Sequence, residues 1–307
     1  AVYEKWGQID LDRVLDKLPL EDFIEVYDRR IELRRMLLDN LSRLERRVVK
    51  LINVLDLRGI TLAHRKLLPY VKVFVNGRCI EHNPFATTEK LFAVGVNQTA
   101  TFLWNLVNSF MPDSLSAKVE LIGDNNAFRN AAFCKYFTKK QIPERLGGTL
   151  QPVRLSTNNN DVTLSTGFRE LAVPVGVPFA GDAFLSSFDG VSPADVGRVR
   201  LLRERIGAAE LERHPLYVSG DVALLRRLRL HDNDLEKACD SLWKAAKRRD
   251  EMRGELDAFH AWVLSNEARS GVSFDTIPGV AELKAASFGF CDWLGVDADG
   301  NVVIYEN

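Results

Sequence analysis

The feature that most limits the fold of this chain is the uncharged segment Leu91–Pro112. A segment of this length is long enough to cross a bilayer as a helix. Amide and hydroxyl side chains interrupt it, however, and each of them is costly in hydrocarbon. They are Asn97, Gln98, Thr99, Thr101, Asn105, Asn108 and Ser109. The segment therefore argues against a membrane span and indicates a stretch that is buried or half-buried in a soluble fold.

Composition argues against several classes of protein. The chain has 307 residues, enough for one large domain or two small ones with a substantial core. Lys and Arg total 41 and Asp and Glu total 42, and the net charge of −1 disfavours a nucleic-acid partner. The four cysteines are far apart and form no CxxC pair, which favours neither a zinc site nor a disulfide framework. No signal peptide opens the sequence, and we expect a cytoplasmic protein, with a secreted or processed form left open.

Strand and helix patterns alternate over the first 150 residues. Val48–Gly59 is short, rich in β-branched residues and closed by a charged turn, which predicts a buried strand. Leu91–Val96 and Lys118–Gly123 predict two further strands. Leu20–Lys50 has apolar residues at helical spacing, and Thr99–Met111 carries one apolar helical face. This alternation favours an α/β sheet with parallel pairs.

The second half of the chain has a different organisation. Residues 151–195 are rich in Asn, Gly, Ser and Pro, which predicts a connector between two structured regions. Residues 196–285 return to helical spacing and predict a small helical module. Residues 286–307 contain an Asp-Gly turn followed by a predicted strand over Val302–Tyr305.

The sequence carries no recognisable catalytic motif. It contains no GxSxG elbow, GxGxxG or Walker A loop, or HExxH pair. Its five histidines are scattered, and none lies beside a cysteine or carboxylate at metal-ligand spacing. We therefore expect a non-enzymatic protein without a metal or cofactor, and a fold that encloses something apolar.

Three segments together resemble the lipid-binding half of the CRAL-TRIO family. They are VLDLRG at Val54–Gly59, the strand–helix–strand segment Phe92–Gly123, and IPERLGGTL at Ile142–Leu150. The double glycine of the third segment is the most specific mark. The resemblance implies a mixed sheet that forms the floor of an apolar pocket, closed by an amphipathic gate helix.

The remaining segments match the same family in a different order. Asp221–Met252 resembles the amino-terminal helical module of the family, and Gly295–Glu306 resembles its first strand. Family order would therefore be 196–307 followed by 1–150, which predicts a circularly permuted chain. Residues 1–150 would form the main part of the lipid-binding domain and 286–307 its first strand region, with 151–195 bridging the usual termini. An engineered permutation, a natural one and one period of a tandem array all stay open.

The resemblance assigns roles to particular residues. Thr99–Met111 corresponds to the gate helix, and Thr99, Met111, Gly147 and Gly148 are its expected gate or hinge positions. The expected lipid-contacting residues are Leu51, Asn53, Leu55, Phe92, Val94, Phe102, Leu106, Phe110, Lys118 and Leu121.

The expected headgroup positions depart from the phosphoinositide-transfer pattern of the family. That pattern has an Arg, a Glu and a Lys, which here read His231, Ala86 and Lys118. Two hydroxyl positions of the phosphatidylcholine-type pattern read Leu51 and Asn53, and without such donors a buried phosphate is unfavourable.

We therefore expect one bound fatty acid, sterol, isoprenoid or phospholipid in a pocket more apolar than usual, with Asn53 as its single polar contact. Exchange of this lipid would occur at a transiently bound membrane surface. The alternative is a structural or storage protein, one unit of a tandem polyprotein, that binds lipid incidentally.

Overall fold

The structure of the protein is a computed structural model. It describes residues 2–17, 19–72, 87–111, 113–123, 125–149, 181–214, 216–264, 291–296 and 302–306. The predicted headgroup position Ala86 and most of the predicted connector lie outside these residues.

Six strands form one mixed sheet, in the order β4-β3-β2-β1-β6-β5. Their bounds are β1 Val2–Glu4, β2 Leu51–Asp56, β3 Thr88–Val94, β4 Val119–Ile122, β5 Cys291–Val296 and β6 Val302–Glu306. β5 pairs antiparallel with β6, whereas the other neighbouring strands are parallel. The predicted α/β fold with a mixed sheet is therefore confirmed.

The sheet brings the two ends of the described chain together. β6 lies beside β1 in parallel, with Val2 opposite Ile304 and Tyr3 opposite Tyr305. β1 was not predicted, because a strand of three residues is too short to show alternation. Parallel neighbours ordinarily need a crossover of a dozen or more residues between them, so this register is not that of a direct join from 307 to 1. The circular permutation stays a prediction.

Helices of the first half cover the parallel strands. Their bounds are α1 Leu11–Lys17, α2 Leu20–Glu45, α3 Leu68–Lys72, α4 Gln98–Asn108, α5 Asp113–Ser116 and α6 Ala131–Cys134. α2 ends at Arg46, which adopts a left-handed φ of 51° and donates its backbone N–H to Ser42. The predicted helix over Thr61–Val75 begins as a 3-10 turn at Leu62–Leu67 and continues as α3.

The described residues between 181 and 264, here called the helical module, are mostly helical. Its helices are α7 Gly181–Ser186, α8 Pro193–Ile206, α9 Ala208–Glu212, α10 Leu216–Ser219, α11 Asp221–Leu230, α12 Leu235–Glu251 and α13 Arg253–Leu264. Its core contains Leu185 and Phe188, which lie in the segment predicted as connector. These two side chains pack on α8 and α11 although Gly, Ser and Asp surround them in the sequence, so residues 181–195 belong with the module.

The module is attached to the first half at the carboxyl end of α2. The backbone N–H of Asp189 donates to the carbonyl of Arg46 at 2.7 Å. The Arg46 guanidinium lies 4.4 Å from the centroid of the Phe184 ring. This backbone hydrogen bond and this cation–π contact therefore hold the module against the end of α2.

Candidate lipid-binding site

The closed face of the sheet is the face that carries Tyr3, Val54, Phe92, Val94 and Ile122. Residues 127–146 pack against it through Ala127, Phe133, Phe137, Ile142 and Leu146. Phe92 is fully buried, and its ring meets that of Phe133 edge-on at 5.1 Å between centroids. The closed face is therefore a filled core.

Phe92 and Val94, two of the predicted lipid-contacting residues, lie on this closed face. Every position of the strand sequence Leu91–Val94 is apolar, so alternation gave no signal of which residues face which side. The structure separates these two residues from the rest of the predicted set on the sheet.

The open face of the sheet is the opposite side, which carries Asn53, Leu55, Leu91, Ala93 and Leu121. Parallel register aligns Asn53 with Leu91, and Leu55 with Ala93 and Leu121. Aligned partners point to the same side, so these residues share one surface. None of the five is ionisable, and Leu121 is 36% exposed. These five residues therefore form an uncharged, partly accessible floor within the open face.

Helices α2, α3 and α4 lie on the side of the open face. Glu4 of β1 is aligned with Leu55 and so lies on the same face beside this floor; it accepts hydrogen bonds from Arg34 of α2 at 3.4 Å and from the Trp6 indole at 2.6 Å. α2 contacts α3, and α3 contacts α4. The helices thus extend from a polar end at Glu4 toward the uncharged helix α4.

Helix α4 is the helix predicted as the gate, and it turns two large apolar side chains outward. It begins at the Asn97 cap, whose side chain accepts the backbone N–H of Ala100 at 2.8 Å. Ala100 and Leu103 are buried. Phe102 is 51% exposed and Leu106 is 37% exposed. Some apolar side chains of α4 are therefore packed against the protein, and others are exposed to solvent.

The remaining predicted gate residues are half-buried. Thr99 lies in the first turn of α4, and Phe110 and Met111 follow its last turn. Backbone N–H groups of Phe110 and Met111 donate to Val107 and Asn108, which extends the helix end by a tight turn. The assignment of Thr99 and Met111 as gate or hinge residues, and of Phe110 as a lipid contact, stays a prediction.

Asn53 is the uncharged polar residue of the open face. Its side chain is half-buried, and no polar partner for it occurs among the described residues. Leu51, at the start of the same strand, is buried. A half-buried amide within an uncharged surface can accept and donate hydrogen bonds to a ligand.

Lys118, predicted as a headgroup contact, is engaged with the backbone. Its ammonium donates to the carbonyl of Thr88 at 2.7 Å, which fixes the start of β3 to the residue before β4. Burial lowers the pKa of Lys118, and the nearby Lys50 lowers it further. This lysine has a structural role in the sheet whether or not it also contacts a ligand.

A buried carboxylate at the carboxyl end of β2 was missed by the sequence argument. Asp56 accepts hydrogen bonds from the Tyr3 hydroxyl and the Arg58 guanidinium, each at 2.8 Å, and forms an ion pair with Arg145 at 3.3 Å. The bond to Asp56 raises the pKa of Arg58. The motif around Asp56 was visible, but nothing in the sequence linked it to Arg145, 87 positions from Arg58.

The double glycine has a packing role in this structure. Gly147 has a φ of 87° and ends a 3-10 turn at Glu144–Leu146. A Cβ atom there would overlap the Asn126 side chain, and one at Gly148 would overlap the carbonyl of Ile142. Both glycines therefore allow the turn to close against the closed face, and their assignment as a hinge stays a prediction.

No group of three or more His, Cys, Asp or Glu suited to a metal ion occurs in the described part of the chain. Within the same residues, no helix is both long enough and apolar enough to span a membrane.

The sheet and its surroundings define an α/β domain with one packed face and one face that carries an uncharged floor bordered by an amphipathic helix. Residues 4–148 match the family model described as the CRAL/TRIO domain, and this match supports membership of the CRAL-TRIO family. Members of this family bind and transfer lipophilic ligands and are generally not enzymes. No curated protein and no solved structure matches the chain.

Proposed function

We propose that this protein binds one neutral lipid on the open face and exchanges it at membrane surfaces. The observation that carries the proposal is the uncharged floor of Asn53, Leu55 and Leu121 beside an α4 that exposes Phe102 and Leu106. An apolar surface with one convergent polar group is typical of a small-ligand site.

The exposed side chains of α4 supply a reason for exchange. Burying an apolar side chain of this size stabilises a protein by about 1.5–3 kcal/mol. Phe102 and Leu106 gain only part of this stabilisation, because both are partly exposed to water. A bound lipid or a membrane interior would each cover them. Water is then the least favourable surrounding for α4, and contact with a membrane lowers the cost of moving the helix.

The polarity of the floor favours a neutral lipid. Asn53 offers an amide, which suits a hydroxyl or carbonyl group, whereas a buried phosphate needs several donors or a cation. Lys118 already donates to Thr88. A sterol, an isoprenoid alcohol or a fatty acid in its neutral form therefore fits better than a phosphoinositide.

Native mass spectrometry of the purified protein, followed by identification of the released molecule, tests the proposal. We expect one apolar molecule per chain. The double variant Phe102→Ser/Leu106→Ser should bind less lipid and transfer it more slowly between vesicles. Leu201→Ser is the matched control, because Leu201 of α8 is as exposed as Phe102, at 51%, but lies in the helical module.

Two results would contradict the proposal. One is a protein that stays empty after incubation with sterol, fatty acid and isoprenoid vesicles. The other is equal transfer by the double variant and the wild type. Lipid bound at one per chain with no transfer between vesicles would instead favour the storage alternative.

A further inference from the structure

A second group of buried charges lies where α2, α11 and α12 meet. Arg35 and Glu32 come from α2, Arg227 from α11 and Arg249 from α12, and each is at most 7% exposed. Glu32 forms ion pairs with Arg249 and, at 3.8 Å, with Arg35. Both carboxylate oxygens of Glu32 therefore already face a guanidinium.

Arg226 is a buried guanidinium of this interface with several partners, although its Nε atom has no hydrogen bond. It donates to the carbonyls of Leu38 and Val49 and to the Ser42 hydroxyl at 2.6–3.1 Å. The carboxylate of Asp39 lies 3.9 Å away. Arg226 is therefore buried together with three hydrogen-bond acceptors and a nearby opposite charge.

Arg227, the next residue, is equally buried but differently surrounded. Its one hydrogen bond among the described residues is to the Ser241 hydroxyl, at 2.8 Å. A guanidinium has five N–H donors, so most of its donor capacity is unused. Burial, and then the like charges of Arg35 and Arg249, lower the pKa of Arg227 to about 9. A buried cation without a counter-charge is strongly unfavourable.

His231 is a neighbour of Arg227 that supplies no negative charge. It caps the carboxyl end of α11, and its Nε2 atom is buried without a hydrogen-bond partner. Burial, and then the charge of Arg227, lower its pKa. Among the described residues, no carboxylate forms an ion pair with Arg227.

We propose that the α2–α11–α12 interface is an oxyanion site, in which Arg227 binds a phosphate group with support from the Ser241 hydroxyl. The planar fork of a guanidinium binds two oxygens of a phosphate at once, and the anion would supply the charge that the protein does not. The group is either free phosphate or the phosphorylated headgroup of a lipid. This site is independent of the proposed lipid on the open face.

Thermal unfolding of the full chain tests the oxyanion site. Sodium phosphate should raise the Tm of the wild type above its value in sodium chloride of equal ionic strength. Arg227→Met should abolish this phosphate-specific rise without lowering the Tm in chloride, since it removes a buried charge. Arg205→Met is the control, because Arg205 is half-exposed on α8 and pairs with Glu236 at 2.6 Å; it should retain the rise.

A soluble inositol trisphosphate, used in place of phosphate, distinguishes the two sources. A rise with inorganic phosphate supports a free anion, and a rise only with the inositol phosphate supports a headgroup. Equal Tm values in all three salts, or an undiminished rise in Arg227→Met, would overturn the proposal. If Arg227→Met does not fold, Arg227→Lys serves instead: it keeps the charge but loses the fork, and the rise should shrink.

Discussion

The two faces of one sheet differ in what completes them. The closed face is completed by the chain itself, since residues 127–146 cover it with interlocked aromatic rings. The open face ends in Leu121 and in a helix whose Phe102 is half in solvent. Phe92 and Ala93 are adjacent in one strand, yet Phe92 belongs to the packed core and Ala93 to the proposed lipid-binding surface. A mutation on one face should affect stability, and a mutation on the other should affect binding.

The largest expected difference between the faces is in the free energy of unfolding. Phe92→Ala removes a fully buried ring and should cost about 3–5 kcal/mol. Leu121→Ala is the matched change on the open face, and because Leu121 is 36% exposed it should cost less than about 1 kcal/mol. Denaturant unfolding of both variants measures the two values.

Equal losses of unfolding free energy in the two variants would contradict this difference between the faces. A cost of several kcal/mol for Leu121→Ala would mean that the open face is packed as tightly as the closed one. Preserved lipid occupancy in Leu121→Ala, together with a small cost, would place the ligand elsewhere.

The next largest effect concerns the turn that closes over the closed face. Gly148→Ala places a methyl group against the carbonyl of Ile142, and overpacking of this kind costs about 1–3 kcal/mol. Gly123 is the matched control, because a Cβ atom there lies at an ordinary 3.5 Å from the Val96 carbonyl. Denaturant unfolding should show a lower free energy of unfolding for Gly148→Ala and almost no change for Gly123→Ala.

The Gly148→Ala variant also distinguishes the hinge role predicted for the double glycine from the packing role. If Gly148 acts as a hinge of the gate, Gly148→Ala should slow lipid transfer more than it lowers stability. Transfer at the wild-type rate by the folded fraction of the variant would favour the packing role.

The sequence predicted the strands of the lipid-binding domain well but not the faces of those strands. β2 and β4 were located because polar turns end them, and α4 because its apolar residues recur at helical spacing. The run from Leu91 to Val94 is apolar throughout, so only its register against Asn53 and Leu121 shows which residues are accessible. The ion pair of Asp56 with Arg145 likewise depends on tertiary contact between distant segments.

A smaller effect is expected for the single amide of the open face. Asn53→Leu keeps a similar volume but removes the polar group, and a lost hydrogen bond of about 0.5–1.5 kcal/mol corresponds to an affinity change of about 2- to 10-fold. The stability of the empty protein should be unchanged or slightly higher. Quantifying the lipid that co-purifies checks this. An unchanged occupancy by a hydroxyl- or carbonyl-bearing lipid would assign its polar end to another residue.

The smallest expected effect is a pH dependence confined to the side of the open face. His64 lies in the 3-10 turn that contacts α4, and its Nδ1 accepts the backbone N–H of Thr61 at 3.0 Å. Burial lowers the pKa of His64 below its ordinary value of 6.5. Below that pH the unfolded chain therefore takes up a proton more readily than the folded one, so stability falls as the pH drops from 6.5 toward the lower folded pKa.

His64→Asn separates this contribution from that of other histidines, because it keeps an acceptor for Thr61 and removes the titration. The loss of unfolding free energy between pH 7.5 and 5.5 should be smaller in the variant than in the wild type. His214 and His231, whose pKa values are also lowered by burial, titrate equally in both proteins and cancel in the difference. Hydrogen exchange should place the acid-induced opening in residues 61–72 and leave the amides of β2 and β3 protected. Acid-induced exchange that begins in those strands would mean that the two faces open together.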